Sequence, residues 1–321
     1  MLRALTLLLL GLYAVAPPAA TAAVPATAAV PAAEAVPAAT CAANPARAAA
    51  ATPMTITDDT GARIALPGPA KRIVSLSPGA TEMLFAAGAG DRVIATVEYS
   101  DTPPAARRIP RVGDVAAIDV ERLVALRPDV AIIWPGGGNA AQIEKISRLG
   151  LPLYRQQLDA LADLPESLRR LGRLAGTSAV AEAHARELEM RLAHLNREYA
   201  GGSRGTVLLQ VWNRPIYTVG GTQLMSDALR SCGARNVFAD LKDPGPAVDV
   251  EAVIARDPDI IVAAAPAGAA AAWLDDWKRF PALRAVRFGH LVPFEDDRFS
   301  RFGPSILDAT EALCKVLAGT R

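Results

Sequence analysis

The chain has 321 residues, enough for two domains of ordinary size. Its 34 basic residues are balanced by 33 acidic ones, and a net charge of +1 gives no strongly basic face for a nucleic acid. Hydrophobic residues make up 51% but aromatic ones only 5%, so a sizeable core is available and the position of each aromatic carries information. At the start, Arg3 precedes an apolar run from Ala4 to Val15, and small residues and prolines follow. That order is that of a secretory signal peptide, assigned here to residues 1–23, and the run is too short to span a bilayer. Residues 24–54 are mostly Ala, Pro, Thr and Val without a helical or strand period, and read as a low-complexity linker. Cys41 follows Thr40 well past the apolar run and is not read as a lipidation site.

From residue 55 the pattern alternates strand and helix. RIVSLS (72–77) is a strand, TEMLFAAGAG (81–90) a helix, and RVIATV (92–97) a strand. Asp119–Leu126 is a helix, VAIIW (130–134) a strand, Ala140–Leu149 a helix and LPLYRQ (151–156) a strand. Such alternation implies a parallel sheet covered on both faces. These elements define a first lobe, 55–162. A helical segment, 163–203, then links the halves. From Ser178 to Ala200 no Gly or Pro occurs, and Ala181, Ala185, Leu188, Leu192, Leu195 and Tyr199 fall on one helical stripe. At 1.5 Å per residue that helix is about 35 Å long, enough to cross the back of two lobes.

The second lobe, 204–321, restarts the alternation. TVLLQVW (206–212), IIVAAA (260–265) and HLVPF (290–294) are strands. Gln223–Ser231, Asp249–Ala255 and Pro304–Leu317 are helices. DVERLVALRPDVAII (119–133) is repeated as DVEAVIARDPDIIVA (249–263), with Asp119 and Asp249 each placed as a helix N-cap. The fold class is therefore α/β, with two similar lobes of mostly parallel sheets joined by one long backbone helix.

In open α/β sheets, ligands bind beyond the carboxyl ends of the strands. Trp134 and Trp212 close strands, and Tyr99, Tyr217, Phe299 and Phe302 follow them, in a chain with few aromatics. They suit a broad, flat, largely apolar ligand held between the lobes, with Asp297, Arg298 and Arg301 on the polar rim. Asp296 and Asp297 are adjacent and point opposite ways on an extended segment, which makes a poor catalytic pair. No nucleophile-elbow or phosphate-loop motif is present, so no catalytic residues are assigned. His184, His194 and His290 have no ligand spacing, and no metal site or cofactor is expected. Cys232 and Cys314 form either a disulfide, which an oxidising compartment permits, or two separate buried thiols.

The stretch RIVSLSPGATEMLFAAGAGDRVIATVEYSDTPP (72–104) resembles the opening of the class III periplasmic binding proteins of ABC importers. VERLVALRPDVAIIWPGG, QVWNRPIYTVGG and FSRFGPSI resemble further segments of that family in the same order, from about residue 70 to 318. The YSD-P-P run and Trp134-Pro135-Gly136-Gly137 resemble its cobalamin-binding branch most. The resemblance implies two lobes on a stiff bridging helix that open and close little. It places Tyr99, Trp134, Tyr217 and the Asp297–Arg301 segment around a corrinoid. It also implies a Cys232–Cys314 disulfide and docking on the permease through Glu121 and Glu251, one acidic residue per lobe at matching repeat positions. Where that branch has aromatic residues, this chain has Val115, Val211 and Arg298. The partners so implied are a small-molecule ligand and an inner-membrane permease, the protein being a periplasmic monomer without membrane insertion. Haem or a ferric siderophore is the alternative ligand, with Tyr99 or Tyr217 available to haem iron and Arg298 and Arg301 to anionic groups.

Overall fold

The computed structural model describes residues 52–137 and 140–320. The expected signal peptide (1–23), Cys41 and most of the expected linker lie outside the described residues. The first ordered feature is an antiparallel hairpin of β1 (Met54–Thr57) and β2 (Arg63–Leu66). Its turn is held by Asp58, whose Oδ1 accepts from the backbone nitrogens of Thr60 at 3.0 Å and Ala62 at 2.8 Å. The sequence reading has no counterpart for this hairpin.

The first lobe follows as β3 (Ile73–Ser75), α1 (Pro78–Ala86), β4 (Val93–Ala95), α2 (Val120–Ala125), β5 (Val130–Ile133), α3 (Ala140–Arg148) and β6 (Leu153–Arg155). Its four strands form a parallel sheet in the order β4-β3-β5-β6. Two helices then lie together, α4 (Leu164–Ala175) and α5 (Ser178–Leu195). The second lobe contains β7 (Thr206–Gln210), β8 (Ile216–Tyr217), α6 (Leu224–Ser231), β9 (Arg235–Asn236), β10 (Ala247–Val248) and α7 (Val250–Arg256). It ends with β11 (Ile260–Ala264), α8 (Ala270–Asp275), α9 (Arg284–Arg287), β12 (Leu291–Phe294) and α10 (Ile306–Gly319). Its parallel sheet runs β9-β7-β11-β12, the same path through the strands as in the first lobe.

The internal repeat is thus structural. α2–β5 and α7–β11 occupy matching places, and Asp119 and Asp249 cap their helices by accepting from Arg122 N at 2.9 Å and Ala252 N at 2.7 Å. Arg127 and Asp257, each before the Pro of its repeat, both adopt positive φ, 46° and 43°. Both sheets are buried on both faces, which is why their strands read as unbroken apolar runs. Alternate residues face opposite cores: Ile73, Val130, Ile132, Val207, Leu209, Ile260 and Val262 face one shared core. Val74, Ala131 and Ile133 face an outer layer under α2 and α3, and Leu208, Ile261 and Ala263 a second outer layer.

The stripe on α5 is buried as its spacing predicts, at Ala181, Ala185, Leu188, Leu192 and Leu195. One wider turn, Asn196–Ala200, completes the helix and buries Tyr199. α5 touches both lobes. His184 Nδ1 lies 2.5 Å from the Ala86 carbonyl of α1, and Arg191 pairs with Asp308 of α10. α4 stiffens it from the side: Arg169 bonds Glu182 and Glu189 of α5, each at 2.7 Å. Among the described residues no helix is long and apolar enough to cross a membrane.

Cys232, at the end of α6, is bonded to Cys314 in α10, at a sequence separation of 82. Closing a loop of that length stabilises a fold by about 4 kcal/mol on the chain-entropy model. Replacing both cysteines by alanine is therefore expected to lower the urea midpoint and to steepen the slope, because the uncrosslinked unfolded chain exposes more surface. Equal midpoints for the variant and wild type would show that the crosslink does not contribute.

Candidate ligand-binding site

A cavity of about 530 Å³ lies between the lobes. Every first-lobe strand delivers a residue to it just past its carboxyl end: Gly79 after β3, Tyr99 after β4, Trp134 after β5 and Gln156 after β6. The second lobe contributes one loop after β12, with Asp297, Ser300, Arg301 and Phe302. Most of the wall is apolar, with Val115 and Leu158 beside the aromatic rings.

The aromatics are held by local backbone. Trp134 meets Phe302 edge-to-face at 5.0 Å, one ring from each lobe. The indole folds back over its own turn, where a side chain on Gly137 would come within 2.0 Å of the ring. This is the physical reason for a glycine there. Tyr99 is 77% exposed and stands at the rim with φ 63°, and Phe302 has φ 50°. Left-handed backbone at a bulky side chain costs about 1–3 kcal/mol and persists where the surroundings enforce it. Here it aims two aromatic rings at one cavity.

The seam between the lobes is close. A Cβ on Gly79 would lie 1.8 Å from the Arg301 carbonyl oxygen and 2.7 Å from that of Phe302, so only glycine admits the loop. Next to it, Glu82 of α1 is 5% exposed and accepts from Ser305 Oγ at 2.9 Å and Ser305 N at 3.2 Å. The Arg301 guanidinium is 3.7 Å from Glu82 and also bonds Thr102 and Asp297. Arg301 therefore binds both lobes and lines the cavity. Burial pushes the Glu82 carboxyl above its ordinary value, against the lowering effects of Ser305 and Arg301.

Of the residues expected at the site, Tyr99, Trp134, Asp297 and Arg301 line this cavity. Phe299 does not: it is 1% exposed and packs edge-on against Phe294 at 5.4 Å. The turn at Asp297–Ser300 directs it into the core and leaves Phe302 to supply the ring. Arg298 also turns away, bonding Asp296 at 2.8 Å with Asp308 3.7 Å distant. Those hydrogen bonds hold the Asp296 carboxyl below its usual range. Trp212 and Tyr217 are outside the cavity wall; Tyr217 N donates to the Trp212 carbonyl at 3.2 Å, and Trp212 packs on Trp273 at 6.2 Å. Glu121 and Glu251 are exposed in the first turns of α2 and α7. Gln156 carries no sequence signal for the site beyond following a strand, and Glu82, inside α1, carries none. Among the described residues, no group of His, Cys, Asp or Glu is arranged to hold a metal ion.

Two lobes bridged by a long helix, with a cavity where the strands end, form the architecture of a ligand-capturing protein. The chain belongs to the periplasmic binding protein family, whose model matches residues 73–294. It is 34% identical over 246 residues to the vitamin B12-binding protein of Photorhabdus laumondii, covering 77% of this chain and 87% of that one. It is 33% identical over 254 residues to the vitamin B12-binding protein of Vibrio cholerae, covering 79% and 91%. The crystal structure of the periplasmic vitamin B12-binding protein of Vibrio cholerae superposes with a TM-score of 0.70 at 32% identity, over 78% of this chain and 97% of that one.

Glu82 gives the seam a pH dependence. In the unfolded chain its carboxyl ionises at the ordinary 4.5, and in the fold it keeps its proton to higher pH. Between those values the folded state binds more protons, so this group's contribution makes stability fall as pH rises, then level off. Glu82→Gln keeps the shape and is expected to remove that fall from a plot of Tm against pH. An unchanged plot would place its origin elsewhere.

Proposed function

We propose that this protein captures a corrinoid of the cobalamin type in the periplasm and delivers it to an inner-membrane ABC importer. The observation that carries this reading is the wall of the interlobe cavity. Tyr99, Trp134 and Phe302 offer aromatic faces and edges, Val115 and Leu158 apolar contact, and Asp297 and Arg301 a polar rim. That suits a broad ring with a polar periphery. The similarity to vitamin B12-binding proteins over more than three quarters of the chain supports the same ligand.

No covalent step is required. The macrocycle is held by dispersion and apolar burial, and its periphery by hydrogen bonds. Because Trp134 and Phe302 already touch across the lobes, little reorganisation accompanies binding, which favours affinity. Val115 lines the cavity where the resemblance expects a larger ring. Trp212 and Tyr217 are exposed on the second lobe and are available to parts of the ligand that extend beyond the cavity.

Haem is the second reading, because Tyr99 places an exposed phenol at the cavity rim. Calorimetric titration with cyanocobalamin and haemin separates the two. The corrinoid reading expects one cyanocobalamin per chain with a Kd below about 1 μM, weakened at least tenfold, or ~1.4 kcal/mol, by Trp134→Ala. Saturable haemin binding with a Soret band, and none of cyanocobalamin, would replace it.

Delivery is assigned to Glu121 and Glu251. Each is exposed beside a capping Asp at matching repeat positions, so a permease with two-fold symmetry can meet the pair with two equivalent basic sites. Glu121→Arg with Glu251→Arg is expected to abolish uptake in cells while leaving cyanocobalamin affinity unchanged. Undiminished uptake would contradict the assignment.

A further inference from the structure

Gln156 follows the last strand of the first-lobe sheet, and its backbone nitrogen donates to the Ile133 carbonyl at 2.8 Å. That bond extends the ladder by one residue and fixes the side chain on the cavity wall, where it is 4% exposed. The other inward polar side chains of the wall are occupied. Ser77 Oγ accepts from Ala80 N at 3.1 Å, and Asp101 accepts from Arg111 at 2.8 Å. Asp297 is bonded to Arg301, and Ser300 Oγ donates to the Asp297 carbonyl at 3.1 Å. The Gln156 side-chain nitrogen, in contrast, is buried without a hydrogen-bond partner.

A buried amide group with no partner destabilises the empty protein, and the deficit is recovered when a partner arrives. A half-turn of the amide exchanges its oxygen and nitrogen, so the group can present a donor, an acceptor or both to the cavity. Its neighbours in the wall, Trp134 and Leu158, are uncharged, and the one cavity arginine is already held by Asp297, Thr102 and Glu82. The unmet group is a donor, so the position suits an acceptor, and with the wall's arginine already held a neutral one such as a carboxamide oxygen suits it better than a carboxylate.

We propose that Gln156 is a specificity-determining residue, its amide pairing with a carboxamide on the periphery of the ligand. This rests on the corrinoid reading, since a corrinoid carries carboxamide arms. Calorimetry with cyanocobalamin, and with cyanocobalamin hydrolysed to peripheral carboxylates, tests it on wild type, Gln156→Leu and Gln156→Met, with thermal melts of each ligand-free protein. Wild type is expected to prefer the carboxamide form. Both variants are expected to bind cyanocobalamin about tenfold more weakly and to lose most of that preference, with melting temperatures no lower than wild type. Either folded variant binding as tightly and as selectively as wild type overturns the role of Gln156. Wild type that binds no cyanocobalamin overturns the corrinoid reading, and this inference with it.

Discussion

The contact on which the rest of this molecule depends is between the N-terminus of α1 and the loop at Arg301–Phe302. Backbone approaches backbone so closely at Gly79 that any side chain there would strike the Arg301 carbonyl. Beside it, a buried glutamate from one lobe meets Ser305 and Arg301 from the other. Burying a carboxylate is unfavourable, and the bonds from Ser305 and the nearby Arg301 offset only part of that cost at Glu82. The seam fixes the distance between the lobes, and that distance sets the size of the cavity.

The spine makes the seam sufficient. α5 shares one apolar core with both sheets, braced by α4, and touches α1 and α10 along its length. A two-lobed protein with a flexible hinge closes over its ligand; here the helix and the seam oppose hinge motion at two separate places. The aromatic wall is accordingly built in the empty protein. Trp134 is seated over Gly137, and Tyr99 and Phe302 are held in left-handed backbone conformations. Strain at these two residues is maintained by the surrounding fold and serves to aim their rings.

Much of this is legible in the sequence because it is local. Apolar runs, Asp caps and the 119–133/249–263 repeat point to two similar lobes with parallel sheets, and the stripe on residues 178–200 to the spine, while the shared strand order appears only in the fold. Strand ends locate Tyr99 and Trp134 at the cavity for the same reason. What is not legible depends on tertiary placement. Phe299 and Phe302 are equivalent in a linear pattern, and only the turn between them decides which enters the core. Arg298 reads as a rim charge, but Asp296 and Asp308 occupy it. Glu82 reads as an ordinary helical acid and Gln156 as a loop residue, because burial by a partner lobe leaves no mark on neighbouring sequence. The hairpin at 54–66 is short and adjoins low-complexity sequence, which hides its alternation.

The central claim is that the cavity is preformed and that a corrinoid enters it without separation of the lobes. A crystal structure of the protein with cyanocobalamin tests this most directly. The account predicts the macrocycle against Tyr99, Trp134 and Phe302, with Gly79 still in contact with Arg301–Phe302 and Glu82 still bonded to Ser305. A ligand bound elsewhere, or a seam opened to admit it, would contradict the account.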